Sequence, residues 1–327
     1  MRWASVWLPS LLSRALASLL VLCGAVFSFP EAARACSICG CDPSSGTLGL
    51  DRPTQGDLRI GVEDRYLQKE SGTMGDGTRE GEREDRFSLR LQYSPHVPRL
   101  SFQLEVPVYA FKTHLGPGDT VDDTSRGLSD VVVTARYELL KSGGMVPRHV
   151  IALTASIKAP TGANAHLASV DNGQFDEHKQ IGTGTWDEQF GVFYTYGDLP
   201  TVAYAGLTAR INGTNSRGNH FGNALFATLG ARRTFLEDRS LYFALDAQVR
   251  NAGFDTIPAA PGDISNGRTY DPNSGGLLTY AVGTAGYALT QNLLLQATLQ
   301  VPAFRALHGT QGEHPVAFLG LAYDLTL

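Results

Sequence analysis

The chain has 327 residues, 43% of them apolar, and a formal net charge of −5. The acidic balance offers no basic surface to a nucleic acid. Ordinary apolar content excludes a bundle of membrane helices, but not a membrane barrel, in which only alternate residues face lipid.

The first element is a secretory signal over residues 1–35. Arg2 and Arg14 precede an uncharged apolar core from Ala15 to Phe29, and Ala33-Arg34-Ala35 supplies the small-x-small pattern of a cleavage site. Beyond Phe29 no stretch reaches the roughly 20 apolar residues that a membrane helix needs, so any later spanning must use strands. Residues 36–56 read as a periplasmic N-terminal segment. It carries Cys36, Cys39 and Cys41, and no cysteine follows Cys41. Three thiols so close together, with Gly40 permitting a tight turn, suit a soft ion, Cu(I) or Zn. A disulfide within the set, or lipidation of Cys36, is an alternative use of the same residues.

From residue 57 to 327 the dominant signal is alternation with period two. Leu58, Ile60 and Val62 open it. The series Phe87–Tyr93, Leu100–Val106, Val131–Leu139, Ile151–Ile157, Phe190–Tyr196, Ala203–Ile211, Leu225–Leu229, Leu241–Val249, Leu293–Val301 and Leu319–Leu327 continue it, each with polar residues between the apolar ones. One further segment, around Leu278 to Ala288, is small and Gly-rich, and its inner face is ambiguous. The links alternate in length. Those near 68–84, 113–127, 161–183, 213–222, 254–276 and 304–314 are long. Those near 95–99, 141–147, 197–200, 235–239 and 289–291 are tight, with turn residues such as Gly197-Asp198 and Glu237-Asp238.

Long links on one side, short turns on the other and both termini on the short side predict an all-β fold: a transmembrane antiparallel up-and-down β-barrel of about twelve strands. Lipid offers no hydrogen-bond partner, so a sheet within it must close. The predicted location is the outer membrane of a Gram-negative cell. The last strand, with apolar residues at alternate positions to Leu327, looks like the terminal signal that barrel-assembly machinery reads. The expected partners are therefore membrane lipid, that machinery and a small solute.

The polar positions of the strands place Arg59, Glu63, Arg65, Arg90, Glu105, Arg136, Glu138, Lys158, Asp187, Arg210, Arg232, Asp246 and Arg250 on the inward face. These are candidate lumen-lining residues, serving a hydrated path, a set of cross-strand ion pairs, or both. His114, His166, His178, His220, His308 and His314 fall in or beside long links, where, clustered in space, they could hold metal. No catalytic motif is present: no G-x-S-x-G, H-E-x-x-H or P-loop. An enzyme is not expected.

Three segments resemble a family of outer-membrane proteins associated with the meta-pathway of phenol degradation, described as transporters. They are Gly127-Leu128-Ser129-Asp130 leading into VVVTARYEL, Lys158-Ala159-Pro160-Thr161-Gly162, and Gly182-Thr183-Gly184-Thr185-Trp186-Asp187. Ser129 stands where Gly is usual and Ala159 where Leu is usual. The resemblance, spanning residues 55–327, implies a barrel that moves small or hydrophobic solutes across the outer membrane. It carries over no catalytic residue. The Cys segment lies outside it, which leaves a second expectation: a tail that binds metal or docks a periplasmic partner, without transport.

Overall fold

The computed structural model describes residues 55–73, 79–116, 121–142, 148–165, 180–235, 240–258 and 268–327. The signal segment, Cys36, Cys39, Cys41, His166, His178 and the Glu237-Asp238 turn lie outside them.

Every regular element described is a strand: β1 (Asp57–Thr73), β2 (Arg79–Tyr93), β3 (Leu100–Leu115), β4 (Val121–Gly127), β5 (Val131–Ser142), β6 (His149–Ala159), β7 (Asp187–Asp198) and β8 (Thr201–Asn212). They continue with β9 (Ala224–Phe235), β10 (Leu241–Ala252), β11 (Thr256–Pro258), β12 (Arg268–Tyr270), β13 (Gly276–Ala288), β14 (Leu293–Leu307), β15 (Gly312–Glu313) and β16 (Val316–Thr326). Consecutive long strands pair antiparallel, and β1 pairs with β2 on one side and β16 on the other, from Asp57↔Thr326 to Tyr66↔Ala317. The result is a closed antiparallel barrel of 12 strands. No long strand keeps a bare edge, which is the condition for crossing hydrocarbon.

The alternation in sequence becomes two faces. Outward positions of β10 run Leu241, Phe243, Leu245, Ala247 and Val249, with Leu245 75% exposed. Equivalent runs on β5, β7, β14 and β16 expose Val133, Phe190, Leu299 and Leu319. Near the short turns this belt ends in Tyr93, Tyr196, Tyr287 and Tyr323; near the long links it ends in Tyr109, Trp186 and Phe304. Amphipathic rings at both rims of an apolar band mark the two lipid–water interfaces. At the lower rim His149 Nδ1 lies 2.8 Å from Tyr194 Oη, and its ring sits 5.2 Å from that of Tyr196. A closed barrel with this exterior belongs in the outer membrane, with the long links outside the cell.

Four links differ from expectation, among them 304–314, into which β14 continues to Leu307 and which holds β15, paired with β1. Residues 68–84 are not one loop: β1 and β2 continue to Thr73 and Arg79. Link 113–127 contains β4, which pairs with β3, and link 254–276 contains the β11–β12 hairpin. Charged, Gly-containing sequence reads as loop, yet opposite charges facing each other across a ladder are good strand partners. The Gly-rich strand β13 is settled too, with Leu278, Tyr280, Val282 and Thr284 buried on its inner face. Two prolines sit at register shifts: Pro107 of β3 opposite the Phe87/Ser88 irregularity, and Pro302 of β14 opposite the one at Thr279/Tyr280. A residue without an N–H fits a strand where the ladder is interrupted.

Candidate functional site

The inner face is built from positions i, i+2 and i+4 of each strand, so the residues opposite the lipid belt meet inside. In the half near the short turns, Arg90 lies 2.7 Å from Glu63 and 3.3 Å from Glu105. Arg59 makes a two-pronged contact with Asp324 at 2.7 and 2.8 Å. Gln92 donates to Gln103 at 2.9 Å. Arg136 and Glu138 are 4.0 Å apart, too far for a hydrogen bond. Arg232 stacks over the Tyr242 ring at 4.9 Å, and Tyr204 donates to Asp246. A cavity of about 60 Å³ between β1, β2, β14 and β16 is lined by Arg59, Glu63, Arg90, Gln92, Gln296 and Gly320. It has room for water, but is well below the ~150 Å³ that accepts a benzene ring.

Toward the long links the charges are more deeply buried. Glu84 is held between Arg65 and Arg86, both at 2.7 Å. Glu82 is held by Lys69 at 2.8 Å and Lys112 at 2.9 Å, with His114 at 3.8 Å. Arg210 lies over Phe226 at 5.3 Å, and Arg250 meets Glu313 at 2.9 Å.

Lys158 is surrounded by Asp130 at 3.3 Å and by Asp187, Thr183 and Thr185. Asp130 in turn accepts from the Gly162 amide at 2.9 Å and from the amide and hydroxyl of Thr183 at 2.9 and 2.8 Å. Gly162 and Gly182 touch backbone to backbone: a Cβ added to Gly182 would lie 2.6 Å from Gly162. The three segments that carry the family resemblance therefore fold onto one another in a single knot at the mouth, around one buried lysine. Two anions about one cation, each with hydrogen bonds to spare, is the condition under which buried charge is tolerated.

The sequence-selected inward residues thus meet in several separate groups. Lys69, Glu82, Glu84, Lys112 and Glu313 are not among the inward residues read from the sequence. Most of these sit where loops were expected. The signal was present: Arg65, Lys69, Glu82 and Glu84 keep the period of two through the supposed loop. The described histidines form no metal-ligating group. His114 faces Glu82, His220 Nδ1 lies 3.0 Å from the Gly213 carbonyl, His308 packs on Phe254 at 5.1 Å, and His314 is 3.7 Å from Glu70. Among the described residues no group of three or more metal-ligating side chains forms.

The inner wall is not chemically uniform. On β9, β10, β13 and β16 it presents Phe226, Ala244, Leu278, Tyr280, Val282 and Phe318, all buried. The ion-pair groups built on Arg90, Glu84, Glu82 and Lys158 lie on β1 to β3 and on β6 and its neighbouring segments.

No family model matches the chain, and no curated protein matches it. Solved structures do. An outer membrane channel from Pseudomonas putida F1 aligns with a TM-score of 0.62 at 15% identity, over 87% of this chain and 99% of that one. The translocator domain of the autotransporter NalP from Neisseria meningitidis gives 0.47 at 11% identity, over 84% and 90%. A deletion mutant of the TodX monoaromatic hydrocarbon channel gives 0.47 at 10% identity, over 91% and 96%. The first of these shows a shared fold, an outer-membrane barrel.

Proposed function

We propose that the barrel carries small, largely apolar solutes across the outer membrane through its lumen, with no chemical conversion. The observation that carries this reading is the apolar inner sector. A barrel that only braces a membrane can fill its interior with paired charges, as β1 to β3 do here. A diffusion pore for ions is polar all round. Leu278, Tyr280 and Val282 pack together with Leu307, and Phe226 packs against the same Leu307 with Ala224 and Ala252, a patch on which an apolar solute loses little on leaving lipid or water. The paired charges of β1 to β3 let the polar end of a solute stay solvated. The Pseudomonas putida barrel of like fold is a channel, and the reading extends that role to this chain. Of the charged residues selected from the sequence, Arg59, Glu63, Arg90, Glu105, Arg136, Glu138 and Lys158 would line the polar side, while Arg210, Arg232, Asp246 and Arg250 stand on or beside the strands that carry the apolar groups.

Uptake into proteoliposomes tests it. Purified barrel should speed the entry of toluene and indole over protein-free vesicles, and Leu278→Thr with Val282→Thr should cut the gain, with heat-modifiability on gels as the check of folding. Entry no faster than in protein-free vesicles ends the reading.

A second activity rests on Cys36, Cys39 and Cys41 alone. Their spacing supports coordination of Cu(I) or Zn in the periplasm. Equal metal content in the wild type and in a variant with all three changed to Ser removes this reading without touching the first.

A further inference from the structure

At the long-link end the inward charges form a chain. Arg250 on β10 donates to Glu313 Oε1 at 2.9 Å, and Tyr280 Oη lies 3.5 Å from the other carboxylate oxygen. Glu313 stands opposite Lys69 in the short β15–β1 ladder. Lys69 meets Glu82 at 2.8 Å, Glu82 meets Lys112 at 2.9 Å, and Lys112 donates to the Gln180 carbonyl at 3.3 Å. The chain therefore runs from β10, past β13 and β14, around β1 to β3, and reaches the segment ahead of β7.

Its middle links join neighbouring strands, which their ladders hold together in any case. The Arg250–Glu313 link is different. In the sheet, β13, β14 and β16 stand between β10 and β1, so this pair is a chord across the inner wall. It ties the connection between β14 and β16 to β10, in addition to the ladder that holds that connection to β1. Close to it, Leu278 and Gln300 are both 0% exposed, though they point into the barrel, and Tyr280 and Val282 are nearly as hidden. In an open, water-filled tube these side chains would be wet. Leu278, Tyr280 and Val282 belong to the apolar patch along which solute is proposed to move, and in this state it is shut.

We propose that the Arg250–Glu313 ion pair is the latch of a gate: it holds the β14–β16 connection over the apolar side of the lumen, and passage requires it to part. The inference rests on the transport reading above. The physics favours a two-state device. Intact, the pair satisfies both buried charges. With Arg250 removed, the carboxylate of Glu313 is left to Lys69 on the β1 side, and the connection loses this tie to β10 and can move toward β1.

The test uses the full-length protein in liposomes, with swelling in L-arabinose as readout and heat-modifiability on gels as the check of folding. Arg250→Ala and Glu313→Gln should each raise the swelling rate several-fold over wild type. Arg250→Lys, which keeps the cation facing Glu313, should stay near the wild-type rate. Should Arg250→Ala fail to fold, Glu313→Asp decides: it keeps the charge but shortens the reach, and a higher rate is again expected. Folded Arg250→Ala and Glu313→Gln variants that swell at the wild-type rate overturn the latch. If wild type admits toluene but no variant changes arabinose entry, only the latch falls. If neither wild type nor any variant passes either solute, the transport reading falls with it.

Discussion

Replacing Leu245 with Arg probes the claim on which the architecture depends, that lipid covers the outer face. Leu245 is the middle member of the outward run Leu241, Phe243, Leu245, Ala247 and Val249, and its ladder neighbours are Ala231 and Gly283. An antiparallel strand rises ~3.4 Å per residue. At a tilt near 40° this is roughly 2.6 Å per residue along the membrane normal. Leu241 and Val249 thus lie about 10 Å below and above Leu245, which places it close to the middle of an apolar band about 25 Å tall. An Arg at the midplane of such a band costs about 2–4 kcal/mol, falling to about 0–1 near the interface. Leu245→Arg should therefore lose several times more stability than Leu241→Arg, on the same strand and the same face. Reversible guanidinium unfolding in phosphatidylcholine vesicles, followed by tryptophan fluorescence, measures both. At a site 75% exposed, Arg in water would cost nearly nothing. A neutral Leu245→Arg, or equal losses at the two positions, would refute the lipid belt.

Other outcomes follow from the same geometry. Lys158→Met leaves Asp130 and Asp187 buried without their cation, so it should cost about 3–5 kcal/mol, seen as a lower melting temperature in detergent; an unchanged melt would show that the knot at the mouth is not structural. Gly182→Ala drives a methyl group into the Gly162 backbone and should cost about 1–3 kcal/mol by overpacking, with faster proteolysis at the mouth as the sign. Arg90→Ala removes the cation between Glu63 and Glu105. The reversal potential under a KCl gradient should then move toward cation selectivity, and an unmoved potential would place Arg90 away from the conducting path.

Much of this protein is legible in its sequence, because membrane strands obey a local rule. Side chains alternate faces, lipid demands apolar groups on one of them, and link lengths tell the two ends apart. Arg59, Arg90 and Asp246 could be placed inside by parity alone, and the closed barrel followed from the hydrogen bonds a lipid cannot supply. Parity does not say how far a strand continues past the membrane, where a charged residue is equally at home in a ladder or a loop. That is why Lys69, Glu82 and Glu313 were missed. Nor does it say which inward charges meet. Arg250 and Glu313 are 63 residues apart, and Asp130, Lys158 and Thr183 come from separate segments. Partnership across a barrel is set by register, shear and the inward fold of the links, which are properties of the closed sheet as a whole. Alternation along the chain sets the wall; closure of the sheet sets what the wall encloses.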